Sequence, residues 1–228
     1  DGKVDCGTIS DLNNLDLYSV QCLVNPSEWV ENAYVFKRGN GDEEYSLRFG
    51  TSGQLIYKTA TQEFIVANDL PIGSWTQLTI SAFANGIDVW TNGEKKWIAN
   101  TGGAVIPETS EPFVIGENFK GRIDEFRFWK TEMPGAEPEN LMFRNTVNKF
   151  HPKYDDLLFY YKFDQDQCED IVDYKLAHHG EPTNVTREAV IDNDYFKYRV
   201  VTGYSSFVRH CDRLQIDRDM HLMTNDLI

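Results

Sequence analysis

Two adjacent acids, Asp124 and Glu125, lie in the segment RIDEFRFW (residues 122–129) and raise the first question of chemistry. Paired carboxylates can act as acid and base, or as oxygen ligands of a hard cation. The segment has the pattern of a strand, in which successive side chains point to opposite faces. One face would then carry Asp124, Phe126 and Phe128, and the other Ile123, Glu125, Arg127 and Trp129. The two acids therefore cannot act as a pair, and both faces are apolar enough to be covered.

A structural role is predicted for Asp124. At the start of a covered strand, an aspartate most often accepts hydrogen bonds from backbone N–H groups of an adjoining loop. Large aromatic residues in strand patterns are predicted to be structural as well, and they are Trp75 and Trp129, with Phe49, Phe126 and Phe128.

A second set of aromatic residues lies near predicted turns and is a candidate surface for binding sugars. These residues are Trp29, Tyr34, Trp90 and Trp97. A sugar site needs exposed aromatic faces beside polar groups that bind hydroxyls. Trp90 and Trp97 flank the pair Asn92-Gly93, so an alternative is that they form a cross-strand pair with no ligand.

Three acid-rich loops could supply oxygen ligands to a metal ion, and they are residues 39–44, 116–118 and 164–170. The last contains Asp164, Asp166 and Asp170, which are the candidate ligands of Ca²⁺, although the loop lacks the glycine and terminal glutamate of an EF-hand. A solvated acidic loop is the favoured alternative for each. The pair His178-His179 is likewise predicted to be solvated, because neighbouring side chains diverge.

The composition excludes some classes of function. The chain has 228 residues, 22 Lys plus Arg and 36 Asp plus Glu, which gives a net charge of −14. Such a charge repels phosphate backbones, so nucleic-acid binding is not expected. A hydrophobic content of 41% is enough for a packed core. No apolar run reaches the length of a membrane span, so membrane insertion by this segment is not expected.

The ends and the cysteines of the chain leave alternatives open. The sequence starts at Asp1 and is expected to be a trimmed or processed form. Cys6, Cys22, Cys168 and Cys211 are either buried free thiols or members of up to two disulfides, for which three full pairings exist. The triplet beginning at Asn184 is a glycosylation sequon only in a eukaryotic source.

Short strands separated by turns dominate the chain and predict an all-β sandwich or jelly roll. The clearest signal is a three-stranded meander in residues 76–100, whose turns contain Asn85-Gly86 and Asn92-Gly93, pairs that suit type I′ turns. One short helix is predicted over residues 135–148, followed by a strand over 156–164. In the tail, residues 184–228, the apolar residues follow no regular spacing. The tail is expected to pack on the sandwich or to lead into another domain.

The order of these segments resembles the laminin-G-like, pentraxin-related jelly roll of the concanavalin A-like lectin/glucanase superfamily. The stretches that carry the resemblance lie within residues 15–145 and are YSVQCLVNP, YSLRFGTSGQLIY, LPIGSWTQLTISAF, GIDVWTNGEKKW, FVIGENFKGRIDEFRFWK and AEPENLM. A further segment, LLFYYKFD, is similar to the strand that opens many such domains, yet here it follows the helix. We predict that it closes the jelly roll, which would span residues 1–183 and leave 184–228 as an extension; a second repeat is the alternative.

This resemblance implies a non-catalytic carbohydrate-binding module. Relatives that cleave β-glucans carry the string Glu-x-Asp-x-x-Glu, which this chain lacks, so a glycoside hydrolase is the less favoured alternative. A structural or protein-adhesion module without a glycan ligand is the competing class. Relatives often hold Ca²⁺ in loops at one rim, which makes Ca²⁺ the one cofactor considered.

The resemblance also implies a setting and a partner. Bacterial lipoproteins that capture polysaccharide at the cell surface contain such domains. The expected partner is a glycan or a glycoprotein. The expected location is extracellular or at the cell surface, with a lipid anchor on the outer membrane as one form of it, in a role in polysaccharide utilisation.

Overall fold

The chain forms a jelly-roll β-sandwich of thirteen described strands. The computed structural model describes residues 2–60, 62–100, 104–133, 147–163 and 171–185, and the side chains of all of these except residues 96–100. The strands are β1 (Lys3–Asp5), β2 (Tyr18–Pro26), β3 (Tyr34–Arg38), β4 (Tyr45–Phe49), β5 (Leu55–Thr59), β6 (Gln62–Ala67), β7 (Thr76–Phe83), β8 (Gly86–Thr91), β9 (Glu94–Asn100), β10 (Phe113–Ile115), β11 (Gly121–Trp129), β12 (Leu157–Tyr161) and β13 (Glu181–Thr183). Short 3-10 turns cover Ser10–Leu12, Gly41–Glu43, Thr51–Gly53 and Tyr154–Asp156.

These strands make two antiparallel sheets. The seven-stranded sheet has the order β13-β1-β10-β3-β4-β5-β6, and the six-stranded sheet has the order β12-β11-β2-β7-β8-β9. Alternate side chains of both sheets meet in one core, as the period of two requires. The strand predicted over residues 156–164 is present as β12. It pairs with β11 at the edge of the six-stranded sheet. The proposed boundary at residue 183 stays a prediction.

The predicted meander is confirmed, with one correction to its turns. β7, β8 and β9 pair in sequence, and Asn92 and Gly93 have φ of 51° and 79°, as a type I′ turn requires. At the other turn, Gly86 is already paired with Phe83 as the first residue of β8. Neither Asn85 nor Gly86 adopts positive φ there, so the type I′ prediction was wrong for this turn.

The strand β11 departs from regular alternation at Glu125, which corrects its predicted faces. The pairing of β11 with β2 is interrupted after Asp124, and Glu125 has φ of 52°. The extra residue is a β-bulge, and each side chain after it moves to the other face. Ile123, rather than Asp124, therefore contacts the same core as Phe126 and Phe128.

The other face of β11 carries the polar residues of this strand. Asp124 pairs with Leu23 and Arg127 with Gln21, so the bulge leaves Asp124 and Arg127 on one face. On the same face, Trp129 donates its indole N–H to Gln21 Oε1 at 3.0 Å. Asp124 and Arg127 are 1% and 0% exposed. The expectation that this strand is covered on both faces is confirmed.

Buried tyrosine hydroxyls lie at the centre of the core. Tyr18 and Tyr57 share a hydrogen bond between their hydroxyl oxygens, and the Tyr18 hydroxyl also lies 2.9 Å from the carbonyl oxygen of Ala104. Tyr45 packs edge-on against both rings. Burial raises the pKa of all three phenols well above the ordinary value, because the charged phenolate would lose its hydration.

Asp173 holds the segment after β12 against the sheet. Its Oδ1 accepts the backbone N–H groups of Tyr160 (2.8 Å) and Lys175 (2.9 Å), and its Oδ2 accepts those of Ala177 (3.1 Å) and His178 (3.0 Å). The carboxylate is fully buried. The bonding pattern that the sequence suggested for Asp124 is thus seen at Asp173.

Other predictions from the sequence fall partly or wholly outside the described residues. These include the helix over 135–148, the candidate ligands Asp164, Asp166 and Asp170, the tail beyond residue 185, and Cys168 and Cys211. Cys6 and Cys22 are buried free thiols, and burial raises the pKa of Cys6 to about 12. Within the ranges that the structure describes, no helix has the length and apolar character needed to cross a membrane.

Replacing Asp173 should weaken the fold strongly. Asp173→Ala would leave four backbone N–H groups without their acceptor, and we expect a loss of about 2–4 kcal/mol in the free energy of unfolding. Urea denaturation measures this loss. Asp155→Ala, which removes an exposed carboxylate, is the control. Equal stability of the two variants would contradict the role of Asp173.

The fold should also lose stability in alkali. The pKa of Cys6 and those of the core tyrosines are raised in the folded protein, whereas in the unfolded chain thiols titrate near 9 and phenols near 10. Below those values each group is protonated in both states, and the fold keeps its full stability. Above them only the unfolded chain releases the proton, so each group lowers the free energy of unfolding by up to about 1.4 kcal/mol per pH unit. Urea unfolding at pH 8 to 11 should show a decline that starts near pH 9, and Tyr57→Phe should reduce its slope. A free energy of unfolding that stays constant to pH 11 would contradict this account.

Candidate functional site

Five loops gather at one end of the sandwich, which we call the binding rim. They are residues 27–33 (β2 to β3), 50–54 (β4 to β5), 68–75 (β6 to β7), 92–93 (β8 to β9) and 116–120 (β10 to β11). Backbone hydrogen bonds join them, from Leu70 N–H to Gly53 O (3.3 Å), from Gly73 N–H to Pro26 O (2.7 Å) and from Ser27 N–H to Lys120 O (2.9 Å). Four of the five loops are therefore linked to one another, and the fifth is tied to β7 by the bond from Asn92 N–H to Gln77 O (2.9 Å).

A cavity of about 410 Å³ opens on this rim between the end of β6 and the turn from β8 to β9. Apolar side chains and short polar ones line it together, and its lining residues are Ile65, Val66, Ala67, Asn68, Asp69, Leu70, Pro71, Thr76, Thr91 and Asn92. Small-molecule clefts typically measure 300–1,000 Å³ and have an apolar lining with few polar groups. The cavity falls within that range of volumes, and half of its ten lining residues are polar.

Trp29 stands beside this cavity and is the most exposed of the described candidate aromatic residues. Its indole N–H donates to the carbonyl oxygen of Leu70 at 2.8 Å, and Leu70 lines the cavity. The ring lies against Gly53, where an added Cβ would come 2.5 Å from Trp29 Cε2. The side chain is 38% exposed, so its position is fixed while part of its ring faces solvent.

The other predicted sugar-binding aromatics are less accessible. Tyr34 begins β3 on the rim and is partly buried, with Lys37 Nζ 4.9 Å from its ring centre. Burial, together with nearby Glu44, raises the pKa of Tyr34. Trp90 is 3% exposed, with Lys95 Nζ 5.3 Å from its ring centre, and so offers little surface to a ligand. Trp97 pairs with Val89 through the backbone, which rules out direct opposition of Trp90 and Trp97; its side chain lies outside the described residues.

The two tryptophans predicted to be structural, Trp129 and Trp75, differ in how deeply they are buried. Trp129 is fully buried beside Met133 and Leu157. Trp75 is the last residue of the rim loop 68–75, directly before β7, and is only partly buried. The guanidinium carbon of Arg122 lies 5.7 Å from its ring centre.

The carboxylate of Glu125 is held in an internal ion pair. Arg127 donates to Glu125 Oε2 at 2.6 Å, and the Tyr160 hydroxyl donates to the same oxygen. The guanidinium also stacks 4.8 Å from the centre of the Tyr160 ring. Burial alone would lower the pKa of Arg127, but Tyr160 and Glu125 outweigh it and raise that pKa. Because Glu125 is 5% exposed, this carboxylate is shielded from solvent.

The described residues contain no group of three or more His, Cys, Asp or Glu side chains arranged to hold a metal ion. The loop 116–118 lies on the rim, where Glu117 forms an ion pair with Lys37 at 3.9 Å. The loop 39–44 lies at the opposite end, where Glu44 binds Lys58 at 3.1 Å. The expectation of Ca²⁺ stays a prediction.

The cavity residues were missed in the sequence, which drew attention to aromatics and to clusters of acids. Asn68 and Asp69 precede a Pro-Gly turn and read as ordinary loop residues. One signal was available: Asp and Asn tolerate positive φ, and Asp69 adopts φ of 54°.

The fold and the rim define the class of protein, an antiparallel jelly-roll sandwich with a loop-lined cavity at one end. Residues 1–137, more than half of the chain, match a laminin-G family described as the concanavalin A-like lectin/glucanases superfamily. The chain belongs to this family, and the resemblance noted in the sequence is confirmed.

Solved structures share the fold at low sequence identity. A protein from Bacteroides ovatus, described provisionally as a carbohydrate binding protein, matches with a TM-score of 0.67 and 19% identity over 82% of this chain. The match covers 57% of that longer protein. Proteins with curated functions gave no match.

Two further structures match more weakly, with TM-scores below 0.5. Domain 4 of an extracellular arabinanase from Geobacillus stearothermophilus, in complex with arabinotriose, has a TM-score of 0.47 and 22% identity, with 54% of this chain and 65% of that one covered. A heptameric pentraxin from Limulus polyphemus has a TM-score of 0.42 and 14% identity, with 61% and 80% covered.

Gly53→Ala should displace Trp29 from its position. Gly53 has φ of 76°, and the added methyl group would overlap the indole ring. We expect a loss of about 2–3 kcal/mol in the free energy of unfolding and a shift in tryptophan fluorescence. Gly7→Ala is the matched control, since Gly7 has φ of 69° and open space around it. Its loss should be about 1 kcal/mol, from backbone strain alone. Equal effects of the two substitutions would contradict the packing of Trp29 on Gly53.

Proposed function

We propose that this protein is a non-catalytic carbohydrate-binding module that takes a sugar at the cavity of the binding rim. The observation that carries the proposal is the position of Trp29, a fixed and partly exposed indole beside a cavity of about 410 Å³. The provisional description of the Bacteroides ovatus protein, which shares the fold, supports the same class of ligand.

The chemistry of the rim suits a sugar. A sugar ring has apolar C–H faces and an edge of hydroxyl groups, so it needs an aromatic or aliphatic surface next to hydrogen-bonding side chains. Ile65 and Ile72 are each 48% exposed at this end and add to the apolar surface beside Trp29. Asn68 and Asp69 provide amide and carboxylate groups for hydroxyls.

A non-catalytic role is proposed from the carboxylates among the described residues that line the cavity. Retaining glycosidases need two carboxyl groups about 5–5.5 Å apart, and inverting ones need about 6.5–9.5 Å. Among the described lining residues, Asp69 is the one carboxylate. Glu125, the acid that stood out in the sequence, is buried against Arg127.

The proposed setting is extracellular or at the cell surface, where polysaccharide is captured. The whole protein would then present this module to a glycan or a glycoprotein, with a lipid anchor as one means of attachment. Ca²⁺ is retained as a proposed cofactor through the acid-rich loops. These points rest on the family resemblance alone.

A glycan array tests the ligand class directly, run once with excess Ca²⁺ and once with a chelator. Selective binding to one class of glycan supports the proposal, and loss with the chelator would assign Ca²⁺ to the site. Silence in both conditions, from protein shown to be folded by circular dichroism, overturns the proposal. A structural or adhesion module would then be the better account, and the search would turn to protein partners.

Trp29→Ala should weaken binding of any glycan found on the array by at least about tenfold, or about 1.4 kcal/mol, because the ring face is lost. Isothermal titration calorimetry measures the change. Phe150→Ala is the control, since Phe150 is 82% exposed and lies outside the binding rim. Unchanged affinity of Trp29→Ala, with that variant folded, would contradict a site beside Trp29.

A further inference from the structure

We propose that the rim cavity selects uncharged saccharides over those that carry carboxylate or sulfate groups, and that Asp69 sets this selection. The inference rests on the proposed function and names the ligand class of that same site.

The described lining of the cavity carries no cationic side chain that could pair with an anion. Among the lining residues that the structure describes, Asp69 is the one ionisable side chain, and the rest are apolar, amide, hydroxyl or proline groups. Recognition of carboxylate or sulfate usually relies on Arg or Lys, whose N–H groups donate charge-assisted hydrogen bonds. An acidic sugar would lose its hydration here without gaining a cation.

The same carboxylate suits a neutral sugar well. An ionised carboxylate is an acceptor only, with two oxygens that can take two neighbouring hydroxyl groups at once. Hydrogen bonds to a charged acceptor are about twice as strong as those between neutral groups. Asp69 lines the cavity and is an exposed residue, which leaves it accessible to a ligand.

The charges around the cavity add to this preference. Acids outnumber bases in the five loops of the binding rim, where Glu28, Glu31, Asp69 and Glu117 stand against Lys120. Among the side chains that the structure describes beside the rim loops, Arg122 and Lys95 are two further bases, and Lys95 is paired with Asp88 at 2.7 Å.

Arg122 is not among the residues that line the cavity, and it stacks on Trp75 with 5.7 Å between the guanidinium carbon and the ring centre. Its charge is directed at an aromatic face that attracts cations. The formal charges of the five rim loops sum to a negative value, in the same sense as the charge of −14 on the whole chain.

Pairs of matched oligosaccharides test the selection. Each neutral tetrasaccharide of glucose, galactose or mannose is compared with its counterpart oxidised at C6 to the uronic acid, by calorimetry in 20 mM salt. We expect the neutral member of the best-binding pair to bind at least tenfold more tightly. The difference should shrink in 0.5 M salt, because charges at an exposed site are screened.

Two substitutions assign the effect to Asp69. Asp69→Asn keeps the shape and should reduce the neutral-to-acidic ratio to about threefold or less, with weaker binding of the neutral sugar. Asp42→Asn makes the same change in net charge at the opposite end of the sandwich and should leave the ratio unchanged. A ratio that falls equally in both variants would overturn the assignment to Asp69.

The failure of this inference is distinct from the failure of the proposed function. Equal binding of neutral and acidic members by the native protein would overturn the selection and leave carbohydrate binding in place. Binding of neither member of any pair, combined with silence on the array, would overturn both.

Discussion

A strand buried on both faces must supply apolar side chains to the core and satisfied polar groups to its other side, and β11 does both through one extra residue. The bulge at Glu125 turns Phe126 and Phe128 into the core while Asp124 and Arg127 lie together on the opposite face. Because Arg127 is fully buried, its charge needs the Glu125 carboxylate and the Tyr160 hydroxyl within the same cluster. This cluster joins β11 to β12 at the edge of the six-stranded sheet.

The two ends of the sandwich are built for different tasks. At the end away from the cavity, the fully buried Arg38 donates to the carbonyl oxygens of Pro107 and Thr109 and so ties the segment before β10 to β3. At the binding rim, the loops are held through backbone bonds and through the packing of Trp29 on Gly53, which leaves side chains such as Asp69 exposed to solvent. Rigid strands thus position a surface whose own side chains are not needed for the core.

The backbone of the rim loops includes residues with positive φ, and the residue types at these positions keep the energetic cost low. Several of its residues adopt positive φ, among them Asn32, Ser52, Asp69 and Asn118. Such conformations are unfavourable for most side chains and are best tolerated by glycine, asparagine and aspartate. Short polar residues are therefore favoured by the backbone at the positions where a hydroxyl-rich ligand would be bound, so one choice of residue serves both the turn and the site.

The sequence by itself determined the two-sheet architecture, the strands from β2 to β8 and the family, because alternation and turn chemistry are local properties of the chain. It did not determine the bulge at Glu125, since an extra residue is recognised only from its pairing with β2. Nor did it distinguish Trp29, which is exposed, from Trp90, which is buried, although both lie beside turns. The cavity brings together β6, β7 and the turn after β8, and only the packing of the two sheets places those segments side by side.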